Sequence, residues 1–461
     1  MLIPAFYDFA YGHSDWIVFA FSAAITLFVG IAMSIATRGQ RQDLSIREAF
    51  ILAVFSWVSL ASFGALPFAL SELELSIADS FFESMSGLTT TGATVITGLD
   101  FAPPGIVLWR ALLQWLGGIG IIVMALAVLP MLKIGGMQLF KVEGFDTPEK
   151  ILPRATQISG SLTAIYIIFT VACMIGYHMC GMPLFDATVH SMTTIATGGY
   201  SSKDLSIGYF DNVAIEVNAI LFMVISSIPF LLYLKGFQTG LLQIFRDQQV
   251  IGFLVTIVFF IILLTIHQSA YSEMSFTQAL RYTSFNIVSI MTGTGYASTD
   301  YTLWSAFAVS IIFIVMFIGG CSGSTSCGIK IFRFQVIWAA VEYRVKTLIY
   351  PNGMFALTYN GRPIPAQVIT SVMNFFFLFT LSFFTLSLAL ELTGLDTVTA
   401  LSASASALAN VGPGLGFVIG PAGHYGNLPD AAKWLLSFGM LLGRLELFAV
   451  LVLFTPQFWK S

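Results

Sequence analysis

The chain has 461 residues, of which 57% are hydrophobic and only 10% charged. Soluble domains carry roughly 25% charged residues, so this composition excludes an ordinary soluble protein, and the apolar content excludes disorder. A net charge of −4 with no long basic run excludes a nucleic-acid binder.

A helix that crosses a bilayer needs about 20 apolar residues. In chain order the stretches that qualify run about 16–36, 48–70, 105–131, 157–179, 212–235, 248–267, 303–319 (continuing after a break to about 347), 366–391 and 431–455. Ahead of them, Met1 to Ser14 is a short apolar piece that reads as the tail of a shortened helix. No cleavable signal peptide is visible. Four shorter, half-polar pieces lie between spans, at about 78–91, 184–197, 278–294 and 397–411. Each is too short to cross and ends at glycine, so each reads as a re-entrant half-helix. The predicted fold class is an all-α polytopic membrane protein.

Lys and Arg set the orientation. Arg38, Arg41 and Arg47, then Lys133, Lys141, Lys150 and Arg154, then Lys235 and Arg246, then Lys330, Arg333, Arg344, Lys346 and Arg362, with Lys460, all fall on one side if the short pieces enter from the other face and return. That side is cytoplasmic. The opposite loops carry Glu72, Glu74, Asp79, Asp100, Asp186, Asp204, Asp300 and Asp396.

The spans group as helix, re-entrant piece, helix, four times at roughly 100-residue spacing. The predicted organisation is an N-terminal segment 1–46, then repeats 47–135, 136–245, 246–350 and 351–461. Aligned on one glycine each, the pieces end Ser86 to Gly92, Met192 to Gly198, Ser289 to Gly295 and Ser406 to Gly412. Ser stands six before the glycine in three of them, and Thr directly before it in three. Four like units predict a pseudo-fourfold ring around a central path. A dehydrated cation there needs replacement oxygens, which inward-pointing backbone carbonyls supply. Glycine permits the positive φ that turns successive carbonyls. The half-helix ahead of each loop aims its negative end at the membrane centre, and an acidic outer mouth concentrates cations. The candidate filter is Thr90, Thr91 and Gly92; Ala196, Thr197 and Gly198; Gly293, Thr294 and Gly295; and Asn410, Val411 and Gly412. The bland alternative is that these glycines only permit close helix packing.

These residues resemble the Trk/Ktr/HKT superfamily of potassium-transport subunits, most closely its bacterial TrkH branch. The matching segments are Phe81-Phe82-Glu83-Ser84 with Thr89 to Thr94, Thr197-Gly198-Gly199, Thr292-Gly293-Thr294-Gly295, Ala409 to Pro413, Leu108-Trp109-Arg110 with Gln114 to Gly120, and Gly319-Gly320-Cys321 with Gly323-Ser324-Thr325. The resemblance implies potassium uptake across the bacterial inner membrane through a gated, channel-like pore, one in each protomer of a homodimer. Gly92, Gly198, Gly295 and Gly412 would be the filter glycines, with potassium held at their carbonyls. It also implies a cytoplasmic TrkA-type nucleotide-binding regulatory partner, so that nucleotide acts only through that partner, and it implies no covalent cofactor. The chain departs from the family in its short start and at Cys327, where relatives are usually glycine-rich.

Gly319, Gly320, Cys321, Ser322, Gly323, Ser324 and Thr325 open a ten-residue run, to Gly328, that no lipid-facing helix would tolerate, because its backbone groups would go unsatisfied. Lining a wet cavity they are acceptable, and by resemblance they form the loop that obstructs the path below the filter. Arg444 is the one cation deep in the last helix, and an intramembrane charge is costly unless paired or functional. By resemblance it faces the pore. The alternative is a structural pair with Glu446, but residues two apart do not face each other on a helix. Arg110 and Arg281 are read as bracing the filter through carbonyls or acids such as Glu83. Cys321 and Cys327 leave open a redox or metal switch. The loop from Lys133 to Arg154 and the segment Arg344-Val345-Lys346 are candidate docking points for the partner. Two other functions stay open: a symporter coupling potassium to protons or sodium, and a membrane enzyme. The second lacks HExxH and clustered intramembrane acids.

Overall fold

A computed structural model describes residues 1–39, 45–127 and 151–460. The predicted docking loop from Lys133, up to residue 150, lies outside the described residues. Helices α1 (Leu2–Tyr11) and α2 (Trp16–Ala36) precede the first repeat. α1 ends at Gly12, which takes a left-handed conformation. The buried Asp8 carboxylate ties α1 to the rest by accepting from the Gly105 amide at 2.7 Å.

The first repeat comprises α3 (Ile46–Gly64), α4 (Leu66–Leu70), the half-helix α5 (Ile77–Leu88) and α6 (Pro104–Ala127). The second comprises α7 (Ile151–Met179), the half-helix α8 (Leu184–Ile195), α9 (Val213–Ser226) and α10 (Phe230–Thr239). The third has α11 (Gln248–Tyr271), the half-helix α12 (Phe276–Met291), α13 (Ala306–Met316) and, after a loop, α14 (Ile331–Ile349). The fourth has α15 (Ala366–Glu391), the half-helix α16 (Thr397–Ala409), α17 (Gly416–Ile419), α18 (Asp430–Arg444) and α19 (Phe448–Leu451).

The half-helices have 12, 12, 16 and 13 residues. At about 1.5 Å per residue none crosses a hydrocarbon core about 30 Å thick. Three start on side-chain caps: Ser76, Ser275 and Asp396 each accept from the backbone amide three residues on. The Asp396 carboxylate sits below its ordinary pKa because the Thr399 hydroxyl and amide both donate to it.

Packing closes these units into a ring. The second helix of each repeat packs on its own half-helix and on that of the next repeat: α6 on α5 and α8, α9 on α8 and α12, α13 on α12 and α16, α18 on α16 and back on α5. A fourfold pseudo-symmetric helical architecture follows directly.

Two predicted single spans are bent. The 212–235 stretch turns by 86° between Ser226 and Phe230, and the 431–455 stretch turns by 112° after Arg444. At the first bend Pro229 has no amide to continue the ladder. At the second, Glu446 and Leu447 both hold positive φ, which costs a non-glycine residue roughly 1–2 kcal/mol. The seventh predicted span is only 11 residues of helix before its loop.

Candidate functional site

Each half-helix ends in a loop of the same backbone shape. The amides of Thr91, Gly198, Thr294 and Val411 each donate to the carbonyl five residues back, on Ser86, Thr193, Ser289 and Ser406. Left-handed residues flank them on both sides: Thr90 and Gly92, Thr197 and Gly199, Gly293 and Gly295, Asn410 and Gly412.

This corrects the sequence alignment of the second loop by one residue. Gly199, not Gly198, occupies the position of Gly92, Gly295 and Gly412; Gly198 takes that of Thr91, Thr294 and Val411. The hydroxyl pattern then becomes complete, since Thr193 stands where the other loops have Ser86, Ser289 and Ser406. Residues after the glycine become Ala93, Tyr200, Tyr296 and Pro413. Sequence alignment chose Gly198 because Thr precedes it. The Gly-Gly pair left two registers, and Tyr200, matching Tyr296, was the signal for the other.

The four loops touch in a closed circle. A β-carbon on Gly92 would overlap the carbonyl oxygen of Gly198, one on Gly199 that of Thr294, and one on Gly295 that of Val411. One on Gly412 would lie 2.7 Å from the Thr91 carbonyl oxygen. Side chains have no room here, so glycine is a requirement of close approach as well as of φ. An outer vestibule opens directly on Gly92, Gly199, Gly295 and Gly412. Thr90, Thr91, Ala196, Thr197, Thr294, Asn410 and Val411 are all buried in the loops beneath it.

The acids expected at the mouth are largely engaged. Asp79 pairs with Lys433 at 2.5 Å and Asp100 with Lys203 at 3.4 Å. Asp204 accepts from the Leu99 amide, Asp186 from Ser202, and Asp300 from Thr302. They fix the loops more than they present free charge.

Behind the ring, Arg110 is fully buried. It donates to Glu83 at 2.7 Å, to the Ser201 carbonyl at 2.9 Å and to the Thr94 hydroxyl at 3.1 Å, and lies over the Tyr200 ring. Glu83 in turn accepts from the Val95 amide. The pair stitches loop one to loop two, and removing one partner of such a buried pair costs about 3–5 kcal/mol. Arg281 does not reach the loops or Glu83. It pairs with Glu216 and Asp211, each at 2.8 Å, because its place on α12 points it at the start of α9. It braces a half-helix, not the ring of loops.

Sequence reasoning passed over four supports as site residues. Gln114 donates to the Gly198 carbonyl at 2.6 Å and accepts from the Tyr200 amide. Tyr200 reaches back to the Glu83 carbonyl at 2.8 Å, and the Tyr296 hydroxyl bonds Thr193 of the second half-helix. Tyr425 donates to the Gly412 carbonyl at 2.8 Å. Each tyrosine cuffs its own loop or the previous one.

Beneath the ring runs the loop from Phe317 to Gly328. A two-residue parallel ladder pinches its base, pairing Ile318 with Ile329 and Gly319 with Lys330. Its far end rests on the α9–α10 bend: Cys321 and Thr325 amides donate to Ser227 and Ser226 carbonyls, and Gly323 accepts from the Phe230 amide. Gly320 bonds Ser326, Ser322 bonds Gln249, and Ser324 bonds the Cys321 carbonyl. Ser326 donates to the Thr292 carbonyl at 2.7 Å, and the Cys327 thiol lies 3.6 Å from the Thr90 hydroxyl. The loop therefore abuts the ring. Arg444 holds it from the other side, donating to the Thr325 carbonyl at 3.3 Å, to Cys327 Sγ at 2.6 Å and to the Gly117 carbonyl at 3.2 Å. Glu446 pairs with Arg333 instead. Cys321 and Cys327 are separate free thiols, and among the described residues no group of His, Cys, Asp and Glu could hold a metal ion.

A family model described as TrkH, cation transport protein, matches residues 17–249 and 242–461. The chain is 44% identical to the Trk system potassium uptake protein TrkI of Halomonas elongata, over 100% of this chain and 94% of that protein. It is 38% identical to the Trk system potassium uptake protein TrkH of Escherichia coli K12, over 100% of this chain and 96% of that protein. The crystal structure of the potassium transporter TrkH from Vibrio parahaemolyticus superposes with a TM-score of 0.91 at 37% identity, covering 100% of this chain and 96% of that one. With its four-loop ring and whole-length matches, the chain belongs to the TrkH family of cation transport proteins.

Proposed function

We propose that this chain is the membrane subunit of a bacterial potassium uptake system, a multi-pass inner-membrane protein in which potassium passes through the four-loop ring and is controlled by the loop below it. The relatives that match end to end are potassium uptake proteins and transporters, not enzymes. The closed circle of glycine contacts carries the reading. It brings four backbone segments together with no side chain between them, which leaves carbonyl oxygens as the groups available to replace water around a cation. The half-helices add the negative ends of their dipoles.

The gate reading rests on the loop's place between the ring and Arg444. Small residues let it move at little steric cost, and its hydrogen bonds to Ser226, Ser227 and Arg444 set the cost of moving it. Family membership supports a homodimer and a cytoplasmic nucleotide-binding regulator of the TrkA type. The exposed stretch around Arg344 and Lys346 on α14 is its proposed contact, together with the connector that follows α6.

Rubidium flux into potassium-loaded liposomes tests the proposal. External potassium is expected to compete with rubidium at least tenfold better than sodium does, the discrimination of a site that replaces a hydration shell. Equal competition by the two ions would overturn the filter. Flux that requires a proton or sodium gradient would favour symport.

A further inference from the structure

Below the ring, a small cavity gathers more positive charge than the residues around it balance. Lys330, Arg333, Arg444 and the single carboxylate of Glu446 line it, with Ser326 and Cys327. Arg333, Arg444 and Glu446 are buried, and Lys330 is half-buried. Glu446 is spent on Arg333. Among the described residues neither Lys330 nor Arg444 has an acidic partner. Lys330 reaches only the Ser326 carbonyl. Arg444 satisfies its two terminal nitrogens, but its buried Nε has no partner.

Three cations against one carboxylate, inside a membrane protein, is an expensive arrangement without a counter-ion. We infer that this cavity is a binding site for a small monovalent anion of halide size, seated between Lys330 and Arg444. The charges fit that chemistry: one ammonium and one guanidinium share the wall with apolar residues that hold no competing acid, Phe375, Phe379 and Leu408. The space admits an occupant of water to halide size.

The consequence for transport rests on the proposed reading that a cation leaving the ring passes Arg444. An anion beside that guanidinium screens the repulsion that the cation meets. At an effective dielectric of about 20, neutralising one charge at such short range is worth roughly tenfold or more in rate. The bound anion thus sets the height of the barrier that the arginine imposes.

Two measurements on the full-length protein separate the site from its effect. Crystals grown in bromide are expected to give an anomalous peak in this cavity, beside Lys330 Nζ and the Arg444 guanidinium. Absence of that peak at molar bromide overturns the site. Rubidium flux in liposomes is expected to be about tenfold higher with chloride than with gluconate on both faces. The Lys330→Met variant is expected to lose the peak and to bring that ratio close to one. A bromide peak that persists undiminished in Lys330→Met overturns the assignment to these two cations. A peak in wild type with equal flux in the two salts overturns the screening role, and with it the passage of ions beside Arg444. The wild-type salt comparison needs no variant, so a poorly folding Lys330→Met does not block the test.

Discussion

Gly199→Ala is expected to reduce rubidium uptake by about a hundredfold at unchanged membrane level, and Gly198→Ala by only about tenfold. The difference follows from the register of the second loop. Gly199 holds φ +76, and its β-carbon would overlap a backbone carbonyl, that of Thr294. The left-handed backbone costs alanine roughly 1–2 kcal/mol, and an overpacked contact adds typically 1–3 kcal/mol. Backbone cannot step aside without moving the third loop. Gly198 has no positive φ, and its β-carbon would meet the side chain of Gln114. That side chain can rotate away, giving up its hydrogen bonds to Gly198 and Tyr200, each worth roughly 1 kcal/mol. Uptake in cells lacking their own potassium transporters, at matched expression, separates the two. A severe loss in Gly198→Ala with transport retained in Gly199→Ala would restore the alignment by Thr-Gly and contradict the ring described here.

Arg444→Ala is expected to raise flux in the absence of any regulatory partner by at least tenfold, while Arg444→Lys raises it less. Two contributions act together. A unit charge several ångströms from a monovalent cation is worth roughly 2–4 kcal/mol at an effective dielectric of about 20. The guanidinium also latches the loop, joining Thr325 and Cys327 to the Gly117 carbonyl on α6. Lysine keeps the charge but not the forked contacts. Flux from purified protein in liposomes reads both. If alanine and lysine raise flux equally, the latch dominates; if neither changes it, Arg444 is not on the path.

The helix pattern was legible because membrane spans are long apolar runs and half-helices are short ones ending in Gly. The four-unit repeat carried the ring topology with it. Register within the second loop was not legible, since Thr197-Gly198-Gly199 offers two alignments, and only backbone hydrogen bonds choose between them. The same limit explains Arg281. Sequence read it, like Arg110, as a brace through carbonyls or acids such as Glu83, but which neighbour it meets depends on the rotation of α12 against α9. Arg333 pairing with Glu446 joins residues 113 apart in sequence, and nothing local announces it. The bend after Arg444 was hidden as well, because Leu445-Glu446-Leu447 reads as ordinary helix, yet Glu446 and Leu447 hold positive φ. The acids of the mouth were visible, but their partners were not, and these turn much of a supposed electrostatic funnel into loop scaffolding.

The central claim is that the four glycine-centred loops bind a dehydrated cation. Anomalous diffraction from crystals soaked in rubidium tests it most directly. The expected result is a peak on the axis at the level of Gly92, Gly199, Gly295 and Gly412, displaced by potassium and left in place by an equal concentration of sodium. A protein that carries rubidium in liposomes yet shows its peak elsewhere, or loses it equally to sodium, would contradict the account.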